Sequence, residues 1–428
     1  MIFTVLNQAV NAQQINRSNS PLLAGRGQTE ALQINEVIFQ ATGFGNTFMV
    51  VTSEGNVIID TSLAANAARH KELLQEVSNG PVKYIILTHA HGDHTGGVDL
   101  WREEATEIIA QEEHYEFVNY QYRLQGLFGE RNAAQFPALA RNLAPQAEQQ
   151  QISSITEQLE NFGAAIKPTV MFESEYRFEL GGTEFVVMHT PGETYDHLSV
   201  WIPQYKAVFV GDNYYSSFPN MYTLRGTKPR WALDYVESID RVLELEPEIM
   251  IPSHGEPVLG YNNIEVAASR YRDAILYVHD QTVLGMNQGK DVYTLMEKIK
   301  LPSDLDIGEG YGTIAWSVRG IYENYVGWFD GKPATMLSIP PSDVYPSLVE
   351  MAGGADAVAT LARGYFDNGS FELALHAANI ALESEPNNQS TLQIKLDALQ
   401  ALLARSKNTN ETGWLQYGIR QTQSLQNR

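Results

Sequence analysis

An α/β fold followed by an all-helical region is what the sequence predicts, and three observations predict it. From Ile34 to Gly255, short apolar runs of strand length alternate with Gly-, Pro-, Asn- and Ser-rich turns and with helical stretches. One of these runs, Val82 to Leu87, ends in Thr88-His89-Ala90-His91-Gly92-Asp93-His94. Polar side chains fan out in this way at the carboxyl edge of an α/β sheet. From Gly260 onward the composition turns helical, with long amphipathic stretches. At 428 residues the chain exceeds one ordinary domain. We divide it into a polar extension (1–33), an α/β domain (34–258) and a helical region (259–428).

Composition narrows the function. The chain has no cysteine, which excludes disulfides and thiolate metal sites and leaves the redox compartment open. A net charge of −22 argues against nucleic acid or an anionic membrane surface as partner. An anionic substrate would need local positive charge, from metal ions or arginine. No apolar run is long enough to span a bilayer. Met1 to Leu6 is apolar but short, with no positive charge before it, so no signal peptide and a cytoplasmic chain are expected.

In order along the chain, Ile34–Gln40, Thr47–Thr52 and Asn56–Asp60 read as a strand meander, and Ala64–Val77 as a helix. Asp60 has two equal readings: an N-cap for that helix, or a carboxylate that orients a ligand histidine. The buried strand and the histidine motif come next, then helical sequence from Gly97 to about Gln121. Phe136–Phe162, rich in Ala, Gln and Glu, reads as an exposed helical insertion. Met171–Val187 reads as a hairpin turning at Gly181-Gly182. Strands Leu198–Ile202 and Ala207–Val210 follow, the second ending in Gly211-Asp212. A helix, Ala232–Leu245, precedes the run Ile249–Ile251, which ends in Pro252-Ser253-His254-Gly255.

His89, His91, Asp93 and His94 put four possible metal ligands within six residues. A turn past a strand suits two neighbouring ions, His89 and His91 for one, Asp93 and His94 for the other. Imidazole and carboxylate without thiolate favour zinc, although iron or manganese takes the same ligands. His197, Asp212 and His254, each beside a predicted strand, complete two sites of about three protein ligands with one carboxylate as a bridge. Two ions roughly 3.5–4 Å apart hold a hydroxide between them and neutralise charge on a scissile ester. Asp93 and Asp212 are therefore the candidate catalytic carboxylates. Of the ten histidines, the five outside this set read as structural: His70, His114, His279 and His376 on helical patterns, and His189 beside a Thr-Pro-Gly turn.

His89-Ala90-His91-Gly92-Asp93-His94, Thr190-Pro191-Gly192, Gly211-Asp212 and Ser253-His254-Gly255, in this order, resemble the metallo-β-lactamase superfamily. The resemblance implies a four-layer αβ/βα sandwich with its metal site at one sheet edge. It also implies one zinc on His89, His91 and His197, a second on Asp93, His94 and His254, and Asp212 bridging.

Asn220-Met221-Tyr222-Thr223-Leu224-Arg225-Gly226, Tyr271-Arg272-Asp273, His279-Asp280-Gln281 and Gly327-Trp328-Phe329-Asp330-Gly331 are similar to the alkyl sulfatase branch. That likeness implies that Asn220 and Arg225 contact a sulfate group. The sequence departs from the branch in having His197 and Asp212 where glutamates are typical, and no histidine in Asn213–Pro219. It also ends soon after Tyr417, where the branch continues into a sterol-carrier-like domain.

Ala355–Pro386 resembles a single tetratricopeptide unit, which cannot bury its own face and must pack on other helices or on another subunit. The branch has a dimerisation domain here, so a homodimer is expected. The aromatic residues Trp316, Tyr322, Tyr325, Trp328 and Phe329 read as core or interface.

The reading is a di-zinc hydrolase of a sulfate ester with an aliphatic alcohol portion. Alternatives are hydrolysis of a phosphoester, lactone or thioester, a mononuclear iron oxygenase on the same fold, and a non-catalytic scaffold.

Overall fold

The computed structural model of the chain describes residues 24–137 and 167–427. Its first sheet has seven strands in sequence order: β1 (Leu32–Gln33), β2 (Ile38–Ala41), β3 (Thr47–Thr52), β4 (Gly55–Ile59), β5 (Val82–Ile86), β6 (Glu107–Gln111) and β7 (Val170–Phe172). The meander β1 to β4 is antiparallel, and β4 to β7 run parallel. The second sheet has six strands: β8 (Glu175–Leu180), β9 (Thr183–His189), β10 (Leu198–Ile202), β11 (Ala207–Gly211), β12 (Ile249–Pro252) and β13 (Val258–Leu259). Here only β11 and β12 pair in parallel.

Period-two alternation explains how the sheets stack. In β3, Phe48 and Val50 point into the core between the sheets, with Val57, Ile59, Ile86, Phe185, Val187, Val200 and Phe209. Met49, one residue away, points to the opposite face, where Ile58 and Ile85 meet Leu73 and Leu74 of α1 (Ala64–Gln75) and Trp101 of α3 (Val98–Trp101). The outer face of the second sheet, through Val208, Val210 and Met250, packs on three helices. They are α6 (Ala232–Leu243), α7 (Tyr261–Asn287) and α9 (Ile314–Val326), with α8 (Val292–Lys298) between the last two in sequence. The layers are therefore helix, sheet, sheet, helix, as expected.

Local boundaries differ in ways the packing explains. The stretch read as helical from Gly97 to Gln121 contains strand β6, whose Ile108, Ile109 and Ala110 are buried on both faces between β5 and β7. A strand buried on both faces shows no alternation, so its short apolar run looks helical. α4 (His114–Arg123) and α5 (Gln125–Gln135) follow it. The last residues of the polar extension join the sheet, Leu32 and Gln33 pairing with Gln40 and Phe39. Apart from its first two residues, the insertion read at Phe136–Phe162 lies outside the described residues.

Helix α7 begins directly after β13 and lays Ile264, Ala268, Tyr271 and Ile275 on the second sheet. After α10 (Tyr345–Met351), the tetratricopeptide-like unit is the helix pair α11 (Ala355–Asp367) and α12 (Phe371–Ser384), closely packed through Ala362, Ala377 and Ala378. Its open face is covered from the same chain by α13 (Gln389–Arg405), and α14 (Thr409–Gln426) packs on α13 and back onto α5. The aromatic residues read as core or interface divide: Tyr322 packs against the core, while Trp328 is 75% exposed.

Candidate metal centre

The parallel strands β4, β5, β11 and β12 deliver the site at their carboxyl ends. Asp60 follows β4, Thr88 and His89 lie just beyond β5, Asp212 follows β11, and Ser253-His254 follow β12. The short helix α2 (Gly92–Thr95) carries Asp93 and His94, and Thr61 N–H donates to the His94 carbonyl at 2.7 Å to fix it.

Asp212 sits at the centre. Its Oδ2 lies 3.2 Å from His254 Nε2, 3.5 Å from His94 Nε2 and 3.8 Å from His89 Nε2. Asp93 Oδ2 is 3.4 Å from both His94 Nε2 and His254 Nε2. Three groups have their donor atoms within 4.8 Å of one another: His89, His94 and Asp212; Asp93, His94 and His254; and His91, Glu193 and Asp212.

The surroundings aim these donors inward. Asp60, 0% exposed, accepts from His94 Nδ1 at 2.8 Å, from the Thr88 and Ser253 hydroxyls at 2.8 Å each, and from Thr88 N–H at 2.8 Å. The carboxylate thus orients the candidate ligand His94, and the N-cap of α1 is Leu63 instead. Gly45 N–H donates to His254 Nδ1 at 3.3 Å, leaving Nε2 to face the carboxylates.

His197 is brought beside His89, with ring centres 5.4 Å apart, but both of its nitrogens are engaged. Nδ1 donates to the Thr190 carbonyl at 2.9 Å, and Nε2 accepts Asp212 N–H at 3.0 Å. The donor that does converge is Glu193, whose Oε1 lies 3.7 Å from His91 Nδ1. Its other oxygen is held by the buried Arg230 guanidinium and by Tyr235 OH at 2.9 Å. Glu193, Arg230 and Tyr215, whose OH donates to Asp212 Oδ2 at 2.7 Å, were not singled out from sequence. The one available cue was Glu193 following Thr190-Pro191-Gly192.

Electrostatics follow from burial and crowding. Burial alone would lower the His94 imidazolium, yet Asp212, Asp93 and Asp60 hold it well above its ordinary value. Burial, helped by positive neighbours, pushes His89 and His91 well below theirs. Asp93 is held down at about 2 by His94 and His254 against its own burial. Burial raises Glu193, opposed by Arg230. Nitrogen and oxygen donors fit zinc, iron or manganese. Two donor atoms support the fit: His94 Nε2 and Asp212 Oδ1 are buried with no hydrogen-bond partner among the described residues, a costly state for polar atoms that a cation relieves.

The two expected substrate contacts lie on the loop after β11. Arg225 Nη2 is 3.2 Å from His91 Nε2. Asn220 is 1% exposed, and neither atom of its side-chain amide has a hydrogen-bond partner among the described residues. Arg230 Nη1 donates to the Asn220 carbonyl at 2.7 Å, so Asn220, Arg230, Glu193 and His91 form one connected row.

Four of the five remaining histidines have structural partners. His189 Nε2 donates to the Tyr195 carbonyl at 2.7 Å across the Thr-Pro-Gly turn, and buried His114 pairs with Asp196 at 2.9 Å. His70 bonds Thr47 and Thr42, and His279 bonds Tyr325 and Asp280.

Comparison with known proteins agrees with the two-sheet fold and the helical region behind it. A model of the metallo-beta-lactamase superfamily matches residues 41–254, and one of alkyl sulfatase dimerisation matches residues 292–424. A linear primary-alkylsulfatase of Pseudomonas sp. is 31% identical over 383 residues, covering 86% of this chain and 72% of that protein. The alkyl/aryl-sulfatase BDS1 of Saccharomyces cerevisiae is 29% identical over 412 residues, covering 90% of this chain and 63% of that one. The solved stereoselective inverting sec-alkylsulfatase Pisa1 from Pseudomonas sp. has the same fold, with a TM-score of 0.81 at 24% identity, over 92% of this chain and 65% of that one. The chain thus spans less than two thirds of the latter two proteins. It belongs to the metallo-β-lactamase superfamily, with an alkyl sulfatase dimerisation region behind the two-sheet domain.

Proposed function

We propose that the chain is a metal-dependent hydrolase of sulfate esters, with two zinc ions held by His89, His91, Glu193, Asp93, His94 and His254 around Asp212. The observation that carries the reading is the Arg225 guanidinium 3.2 Å from His91 of the cluster, with the buried amide of Asn220, unpartnered among the described residues, on the same loop. The alkylsulfatase relatives support the same substrate class. When bound, the ions supply a water of lowered pKa and neutralise charge on the ester.

The chain's own residues do the rest. Arg225 presents a planar fork to two oxygens of a tetrahedral oxyanion, and the Asn220 amide donates to a third. Asp60 keeps the proton of His94 on Nδ1, so that Nε2 of that ring stays available as a donor, and Gly45 N–H orients the His254 ring through Nδ1. Arg230 and Tyr235 hold one oxygen of Glu193 and turn the other towards His91. Tyr215 fixes the carboxylate plane of Asp212.

The test is Arg225→Ala on an alkyl sulfate. KM should rise with a loss of about 2–5 kcal/mol, the range for removing one partner of a buried charge contact. Arg225→Lys should recover part of it, because an ammonium keeps the charge and loses the fork. A neutral lactone, having no terminal oxyanion, should not distinguish the variants; equal losses on both substrates would sink the assignment of Arg225.

A further inference from the structure

Residues 217–225, which carry Asn220 and Arg225, contain no helix and no strand. Nothing within the loop fixes those two side chains, and its backbone is held from outside at both ends. At the first end it is laced to residues 308–312. Phe218 N–H donates to the Gly308 carbonyl at 2.9 Å, and Gly312 N–H donates to the Phe218 carbonyl at 3.0 Å. Gly310 N–H donates to Ser217 Oγ at 2.9 Å. No β-carbon fits at position 312 against the Pro219 carbonyl, so the two backbones touch. At the second end, Gln135 Oε1 accepts Arg225 N–H at 2.9 Å, and Arg131 Nε donates to the Arg225 carbonyl at 2.7 Å.

Both supports lead to the first two turns of α14. Asn408 caps that helix with Oδ1, which accepts from Asn410 N–H at 2.9 Å and Glu411 N–H at 3.0 Å. Its Nδ2 donates to the Glu309 carbonyl at 2.8 Å and the Tyr311 carbonyl at 2.9 Å. Asn410, 0% exposed, donates to the same Tyr311 carbonyl at 2.9 Å, and Thr409 N–H donates to the Gly310 carbonyl at 3.0 Å. One turn on, Gly413 leaves no room for a β-carbon against the Gln135 backbone, and Trp414 Nε1–H donates to Gln135 Oε1 at 3.2 Å.

We propose that the first two turns of α14 are a clamp that sets the position of Asn220 and Arg225, with Asn408 and Trp414 as positioning residues that touch neither. Two buried amides and an indole N–H engage the two segments that brace the loop, and leaving such groups unmade is costly. The region matched by the dimerisation model, residues 292–424, is then also a structural part of the site. A displacement of about 1 Å in a substrate-positioning group costs on the order of 100-fold in rate, which is why a remote brace matters. The importance of Asn220 and Arg225 rests on the sulfate reading; the clamp itself rests on the backbone contacts.

The experiment uses the full metal-loaded chain with two variants. Asn408→Ser keeps an oxygen for the helix cap and removes the amide donor; Trp414→Phe keeps an aromatic ring and removes the N–H. Hydrogen exchange over residues 217–226 and 308–312 should lose protection about 3- to 10-fold, the equivalent of one hydrogen bond, while β5 and β11 keep theirs. Inorganic sulfate should bind correspondingly more weakly by calorimetry, with metal content unchanged. Wild-type protection of both segments in both variants overturns the clamp, and so does a loss shared equally by β5 and β11, which would be general destabilisation. Lost protection with unchanged sulfate affinity upholds the clamp and counts against Asn220 and Arg225 as oxyanion contacts.

Discussion

Asp60→Asn is the perturbation that discriminates most finely, because the change is one of proton placement and hardly of shape. The backbone at Asp60 has φ of 54°, a left-handed conformation that asparagine tolerates well. The wild-type carboxylate accepts four hydrogen bonds, from Thr88 N–H, the Thr88 and Ser253 hydroxyls and His94 Nδ1. An amide keeps one acceptor oxygen and turns an NH2 towards the other donors. The hydroxyls rotate to accept. His94 accepts only by moving its proton to Nε2, the nitrogen that faces Asp93 and Asp212. Nε2 is then lost as a metal donor. Metal affinity at the Asp93–His94–His254 side should fall about 10- to 100-fold, or about 1.4–2.7 kcal/mol. Folding stability should fall by about 1–3 kcal/mol for an imperfectly satisfied buried group. Competition with a chromophoric chelator measures the first quantity and denaturant unfolding of the metal-free chain the second. A variant that binds both metals with wild-type affinity would refute the tautomer argument.

Glu193→Gln should lower the metal occupancy of the His91 side more than His197→Asn does, measured by metal analysis of folded protein; the reverse ranking would restore His197 as the ligand. The metal-free chain should lose stability as pH falls from about 6.5 towards 4. Burial lowers His70 to about 4, so the unfolded chain takes up a proton that the folded one refuses, for up to about 3 kcal/mol. Thermal unfolding of wild type and His70→Gln across that range should show a shallower slope in the variant. Light scattering should give about twice the 47.7 kDa chain mass, since Trp328, Leu337, Ile339 and Met351 are 64–84% exposed within a region matched by a dimerisation model; a monomer throughout a dilution series would contradict it.

How much of this was legible depends on sequence distance. His89 to His94 lie on one turn after one strand, so spacing alone announces a metal site. The layered fold was readable from alternation and from the family motifs, and β6 escaped because a strand buried on both faces has no alternation to read. Glu193 and Arg230 form their buried pair across 37 residues, and only the fold brings them together. His197 carries the motif's expected histidine, but its ring is taken up by the Thr190 carbonyl and Asp212 N–H, which no spacing rule reveals. Asp60 stood between two readings until the fold placed it under His94. The tie from Asn408 to Tyr311 spans 97 residues and consists of side chain to backbone bonds, a class of contact with no sequence signature.

The most direct test of the account combines two readings on one preparation of unchelated wild-type protein: metal ions per chain, and inorganic sulfate released from a primary alkyl sulfate. The account predicts about two transition-metal ions per chain, with sulfate release that stops on chelation and returns when zinc is restored. Undiminished turnover by metal-free protein, or no sulfate release from a fully loaded chain that hydrolyses a lactone well, would contradict it.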